Sequence, residues 1–312
     1  MKSIRLKLAK NGEGLFKAVS MLGQGAQGTV YQGKLMGKLY AVKIYNGEDK
    51  NSVDAQRRAR KIGEIIPKPR TGALLRTWMV DNGTDREGNP VMVFQLFDNP
   101  PLEDYYNSYR PPKDLRGRER IAIGLTAGLV EIHSNNIVHS DLAPLNILYS
   151  KRGEVAIIDF DGAGYYPKNG KMLPPIVQGH VQFPDWPVPQ EIKSNNLNYG
   201  SDVWWLGSLI IKALTGYTPF FFLKVADHNS INELLDLLGN EQDVWPPRFE
   251  ILSKHSKVQP NLSKTQLDKV RMILNQTIAT SILAKIFANF HNPEMRPNAK
   301  QIWASFRPRC FR

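Results

Sequence analysis

The chain has 312 residues, 42% of them hydrophobic, and a formal net charge of +12, a composition that supports a sizeable core and excludes a disordered chain. No apolar run reaches the roughly 18 to 20 residues of a membrane-spanning helix, and the opening MKSIRLKLAKNGEG alternates charged with apolar residues, unlike a signal peptide. The single cysteine, Cys310, excludes an intramolecular disulfide and, with no Cys/His cluster beside it, a zinc site; a cytoplasmic protein is expected.

In chain order, alternation predicts strands over 3–10 and 15–22 joined by the turn Asn11-Gly12-Glu13-Gly14, an extra N-terminal hairpin, then strands over 28–35 and 38–45. Ala55, Ala59, Ile62 and Ile66 recur at helical spacing and predict a helix over 51–66, on which Arg57, Arg58, Arg60 and Lys61 read as a solvated face. Strands over 73–81 and 90–97 flank the turn-rich stretch from Asp81 to Asn89. From about residue 115 the period is helical, over 116–134, 201–215, 230–239, 264–290 and 298–306, with short strands at 147–149 and 154–158. A Pro/Gly-rich loop from 161 to 190 is too long for a connector and is a functional candidate. The change of pattern at Phe97-Asp98-Asn99-Pro100-Pro101 gives an α+β chain of two parts, a β-rich 1–97 and a mainly helical 98–312.

Between two predicted strands lies Gly23-Gln24-Gly25-Ala26-Gln27-Gly28, whose spacing removes side chains where a backbone must approach phosphate oxygens. A strand, not a helix, follows in Thr29-Val30-Tyr31, which favours a phosphate cover over a dinucleotide-binding turn. In Tyr40-Ala41-Val42-Lys43-Ile44 a lysine between apolar strand residues calls for an anionic partner, a carboxylate or a phosphate. Further on, Asp141-Leu142-Ala143-Pro144-Leu145-Asn146 follows a helical period and Asp159-Phe160-Asp161-Gly162 follows a strand. Two acids and an amide so placed can hold a divalent cation, Mg²⁺ by ligand type, and accept a hydroxyl proton, as phosphoryl transfer requires.

This ordered set resembles eukaryotic-type (Hanks-type) protein kinases over roughly 15–306, which implies a bilobal fold and ATP and Mg²⁺ as cofactors. The resemblance implies that Lys43 holds the α- and β-phosphates, Asp141 acts as catalytic base, and Asn146 and Asp159 bind Mg²⁺. It also implies phosphate contacts from Gly23, Gly25 and Gly28, a gatekeeper at Phe94, a hinge from Gln95 to Phe97 whose backbone bonds adenine, and a purine slot of Val30, Ala41 and Leu148. Val188-Pro189-Gln190-Glu191 is similar to the family's loop anchor, with Arg296 as ion-pair partner, and Asp202 to the residue that bonds back to the catalytic loop.

The chain departs from the family pattern at four places. Ser140 stands where many members carry arginine, and 159–191 contains no Ser or Thr, so activity independent of activation-loop phosphorylation is expected. Ala143 and Leu145 leave the catalytic loop without its usual cation. Asp161 replaces a glycine and either alters metal preference or caps the next turn. The acid expected to pair with Lys43 is Glu64 or Asp54. The leading function is therefore a protein kinase acting on an unidentified protein hydroxyl, with small-molecule phosphotransferase and nucleotide-binding scaffold as alternatives. Nucleic acid is compatible with the charge, but no zinc finger, R-G-G repeat or aromatic–basic interleaving supports it.

Overall fold

A computed structural model describes residues 3–25, 27–47, 50–66, 79–97, 111–149, 154–176, 191, 194, 196–217, 223–225, 258–260, 263–277, 279–287 and 292–310. Strands β1 (Ser3–Leu8), β2 (Gly12–Gly25), β3 (Gly28–Leu35) and β4 (Lys38–Tyr45) run antiparallel in sequence order. Helix α1 (Lys50–Ile65) follows, then β5 (Met79–Asp85) and β6 (Pro90–Gln95). The strands lie in the order β1-β2-β3-β4-β6-β5, and β1 also pairs with β5.

Period-2 alternation divides this sheet into two faces. Ile4, Leu6, Leu8, Phe16, Ala18, Leu35, Val42, Val91 and Val93 form a core on one of them. On the other, Val30 lies opposite Lys43, Lys43 opposite Met92, and Ala41 opposite Phe94. Helix α1 covers part of that second face, where Ala55 and Ala59 meet Tyr45, Met79 and Met92.

The first hairpin turns earlier than the sequence suggests. Leu8 pairs with Gly12, which leaves Ala9-Lys10-Asn11 as a three-residue loop closed by Gly12 at φ +68°, a conformation only glycine adopts without strain. Strand β5 runs through residues expected to turn, because the polar side chain of Asp81 is consumed by that hairpin. It is buried and accepts hydrogen bonds from the backbone of Lys10 and Asn11 and from the Asn11 side chain. The turn itself is built by Asp85, whose Oδ1 accepts from the Glu87 and Asn89 amides.

The remainder is mainly helical. It comprises α2 (Leu115–Ser134), β7 (Ile137–Val138), a 3-10 turn at Pro144–Asn146, β8 (Ile147–Tyr149), β9 (Val155–Ile157), β10 (Gly164–Tyr165) and α3 (Tyr199–Thr215). Strands β11 (Leu223–Val225) and β12 (Val258–Pro260), which the sequence reading did not anticipate, pair with each other. Helices α4 (Lys264–Asn275), α5 (Ala279–Phe287) and α6 (Ala299–Cys310) complete the described chain. Asp114 caps α2 through the Gly117 amide, Asn198 and Ser201 form a capping box on α3, and Gly216 at φ +82° ends it.

Helix α3 is buried from Ser201 to Thr215 and forms the centre of a core with Leu125 and Leu129 of α2 and Phe287 of α5. Trp204 meets Phe287 edge to face at 4.9 Å. The single helix expected over 264–290 is two: Thr277 Oγ1 donates to the Leu274 carbonyl, a local bond that competes with helix continuation. The helix expected over 230–239 lies outside the described residues, as does all of the boundary at 97–101 except Phe97. Among the described residues no helix is long and apolar enough to cross a membrane.

Candidate active site

The glycine turn joins β2 to β3, with Gly25 paired to Gly28. Its glycines differ in kind. A Cβ on Gly28 would lie 2.2 Å from the Ile44 carbonyl oxygen, so strand packing alone demands glycine there. Gly23 and Gly25 face open space, with nothing within 4 Å of a Cβ, and this leaves their backbone approachable by an anion.

Lys43 of β4 points into a carboxylate pair. Its Nζ lies 3.0 Å from Asp159 Oδ1 and 2.6 Å from Asp161 Oδ2. Burial disfavours the ammonium, but the two carboxylates outweigh it and hold the pKa above the ordinary lysine value. Asp159, at φ +64°, is pushed up by burial, but the charge and hydrogen bond of Lys43, a hydrogen bond with Asp161 and the charge of His139 together outweigh it and leave the pKa below the ordinary range. Asp161 is pushed up to about 7 by burial and by the negative charge of Asp159, which Lys43 only partly offsets. The Tyr45 hydroxyl donates to Asp161 Oδ1 at 2.9 Å. Tyr45 shares the Lys43 face of β4 by alternation, the signal that could have revealed it in the sequence.

The expected partners of Lys43 are corrected by this arrangement. Glu64 has a 60% exposed side chain and meets Arg60 one turn away at 3.9 Å, and Asp54 is exposed. The apolar stripe of α1 turns both acids away from β4. Asp161 neither caps the next turn nor stands apart from the cation; it binds Lys43. Arg58 also leaves the solvated face assigned to it, donating from its guanidinium to the carbonyls of Ala163 and Pro174.

Asp141 and Asn146 lie in the loop between β7 and β8. Asn146 Nδ2 donates to Asp141 Oδ2 at 2.8 Å and to the Asp141 carbonyl at 2.9 Å, which commits the amide nitrogen and makes the amide oxygen the atom that could meet a cation. The Ile158 amide donates to the Asn146 carbonyl at 2.9 Å, tying this loop to the strand that delivers Asp159. His139 strengthens the tie. Its Nδ1 accepts from the Asp141 amide, so the proton is on Nε2 and is donated to the Ile158 carbonyl at 3.1 Å. The Asn146 amide and Asp159 carboxylate form an oxygen donor set suited to Mg²⁺.

Beneath the loop, buried Asp202 of α3 accepts from the amides of His139 at 2.7 Å and Ser140 at 2.8 Å and meets His133 Nε2 at 3.0 Å. Ser140 Oγ donates to the Gly162 carbonyl at 2.8 Å, a tie the sequence did not disclose. The ion pair expected between Glu191 and Arg296 forms at 2.5 Å, and Arg296 stacks over Trp204 at 5.0 Å. Val188-Pro189-Gln190 lie outside the described residues. Val30, Ala41, Phe94, Gln95, Phe97 and Leu148 are each partly exposed. Val30, Ala41 and Phe94 share the sheet face that carries Lys43, and Gln95 lies opposite Tyr40 at the end of β6.

Known proteins resemble this chain over most of its length. The family model described as protein kinase domain matches residues 16–305. A receptor-like protein kinase of Ipomoea nil is 28% identical over 294 residues, 90% of this chain and 24% of that protein. cAMP-dependent protein kinase type 3 of Saccharomyces cerevisiae is 28% identical over 240 residues, 76% of this chain and 53% of its own length. A probable serine/threonine-protein kinase PknB of Lactococcus lactis is 26% identical over 212 residues, 66% of this chain and 32% of its own. This chain thus spans less than two thirds of each of these relatives. With the family model matched across 16–305 and an α+β architecture beneath it, the chain belongs to the protein kinase domain family.

Proposed function

We propose that the chain transfers the γ-phosphoryl group of ATP to a serine or threonine hydroxyl of a protein, acting in the cytoplasm and without activation-loop phosphorylation. The observation that carries the reading is the convergence of Lys43, Asp141, Asn146 and Asp159 from separate segments through direct contacts and the bond between the Ile158 amide and the Asn146 carbonyl. Residues 1–97 would form the smaller lobe and 98–312 the larger.

Asp141, oriented by Asn146, accepts the acceptor hydroxyl's proton at its carboxylate. Lys43 places a positive charge for the α- and β-phosphates, and the open backbone at Gly23 and Gly25, with Gly28 completing the turn, covers them. Asn146 and Asp159 would hold Mg²⁺, which neutralises charge on the transferred group when bound. The backbone from Gln95 to Phe97 would bond adenine, between Val30 and Ala41 on one side and Leu148 on the other. Independence from loop phosphorylation is supported by Ser140, whose hydroxyl ties itself to Gly162 by a neutral hydrogen bond where an arginine would await a phosphate.

The test is transfer of label from γ-labelled ATP with Mg²⁺ to a generic basic protein, by wild type and Asp141→Asn. Phosphoserine or phosphothreonine formed by wild type alone supports the reading. ATP binding without protein labelling overturns it in favour of a small-molecule phosphotransferase or a scaffold. Undiminished activity after phosphatase treatment tests the loop, and cell fractionation tests the location.

A further inference from the structure

A lysine that must serve phosphates needs a carboxylate to hold it that is not itself claimed by the metal. Lys43 meets two carboxylates, and Asp159 is the proposed metal ligand, which leaves Asp161 as the one free to stay with the ammonium. Asp161 is itself held, 2% exposed, by the hydroxyl of Tyr45, a residue 1% exposed on the same strand as Lys43. Helix α1 offers no substitute: among its described residues no carboxylate pairs with Lys43, and Glu64 is turned to Arg60. What α1 sends toward the site is a cation, Arg58, onto the backbone oxygens of Ala163 and Pro174.

We propose that Asp161 is the positioning residue for Lys43, so that the segment after β9 supplies the carboxylate to the strand while α1 supplies a cation to that segment. The charges of helix and segment are thereby exchanged relative to the ordinary lysine–helix glutamate pair. The lysine's geometry then follows the segment at 159–163 and is independent of any acid on α1. This rests on the kinase reading above.

The test compares the full chain as wild type, Asp161→Asn, Asp161→Gly and an Asp54→Asn/Glu64→Gln double variant. Without nucleotide, the Lys43 side-chain ammonium is observed by nitrogen-15 NMR, assigned by its loss in Lys43→Arg. The Asp159 and Asp161 side-chain oxygens at 3.0 and 2.6 Å keep it in slow exchange with water in wild type and in the double variant; it is lost to fast exchange in Asp161→Asn. In turnover, Asp161→Asn lowers kcat by about 100-fold through misplacement of the ammonium, with the KM for ATP changed less than about threefold. A purely packing role would move neither the ammonium signal nor kcat per folded molecule. Should Asp161→Asn fail to fold, Asp161→Gly, which needs no new space, gives the same two readouts. An unchanged Lys43 signal in the Asp161 variants, or a kcat loss confined to the helix double variant, overturns the proposal. If wild type binds no ATP, the kinase reading fails, and the nucleotide-free NMR still judges the Lys43–Asp161 anchor by itself.

Discussion

Asp202 holds Ser140 in a conformation a serine does not choose unaided: its Oδ1 accepts the Ser140 amide hydrogen at 2.8 Å while Ser140 sits at φ +67°. A left-handed backbone at a non-glycine residue costs roughly 1–2 kcal/mol. The neighbouring His139 amide is satisfied by the same carboxylate.

Asp202→Ala leaves these buried amides unpaired, at roughly 1–3 kcal/mol each. Urea denaturation is expected to show that loss, and Asp202→Asn, which retains an acceptor oxygen, to show less of it.

Ser140→Gly and Ser140→Ala both delete the hydroxyl bond to Gly162, but only glycine relieves the positive φ. Ser140→Gly is therefore expected to be more stable than Ser140→Ala by roughly 1 kcal/mol. Equal unfolding midpoints would refute the strain.

The glycine turn separates packing from binding. Gly28→Ala drives a methyl toward the Ile44 carbonyl, so its melting temperature falls. Gly25→Ala has room and should change stability by less than about 0.5 kcal/mol while weakening ATP binding, read by calorimetry with a non-hydrolysable analogue.

Breaking the Glu191–Arg296 pair by Arg296→Met strands a buried carboxylate and should cost roughly 3–5 kcal/mol. A Glu191→Leu/Arg296→Met double variant removes both charges and should recover part of that loss in the same denaturation assay.

The carboxyl of Asp161 gives the metal-free protein a pH signature. Because its folded pKa is raised above 3.8 to about 7, the folded state binds a proton that the unfolded state has lost, so stability falls as pH rises from about 4 to about 7. The lowered Asp159 titrates below this window and the raised Lys43 above it. Between pH 5 and 7 the decline is on the order of 2 kcal/mol, and Asp161→Asn should flatten it. A wild-type stability that rises across this window would contradict the assignment.

Local chemistry made much of the molecule legible in advance. Period-2 alternation located β3 and β4 to the residue, and helical spacing of Ala55, Ala59 and Ile62 located α1, because each pattern states which side chains can share a core. The candidate set of Lys43, Asp141, Asn146 and Asp159 was named through a family resemblance, and the structure brings these residues together. Two side chains whose partners lie far along the chain were not readable. Asp81 looked like a turn residue until the hairpin it caps came alongside, and Asp161 looked like a turn cap until β4 delivered Lys43 and Tyr45 beside it.

The sequence by itself determined which groups carry charge or offer oxygen donors and which element delivers each, since those depend on residue type and near-neighbour spacing. Only the tertiary structure decided the pairings. The sequence offered Lys43 Glu64 or Asp54, and the structure pairs it with Asp159 and Asp161 instead, because the apolar stripe of α1 buries Ala55, Ala59 and Ile62 and so turns its acids to water. An ion pair between residues more than a hundred positions apart is set by which faces bury apolar surface, a property of the packed whole.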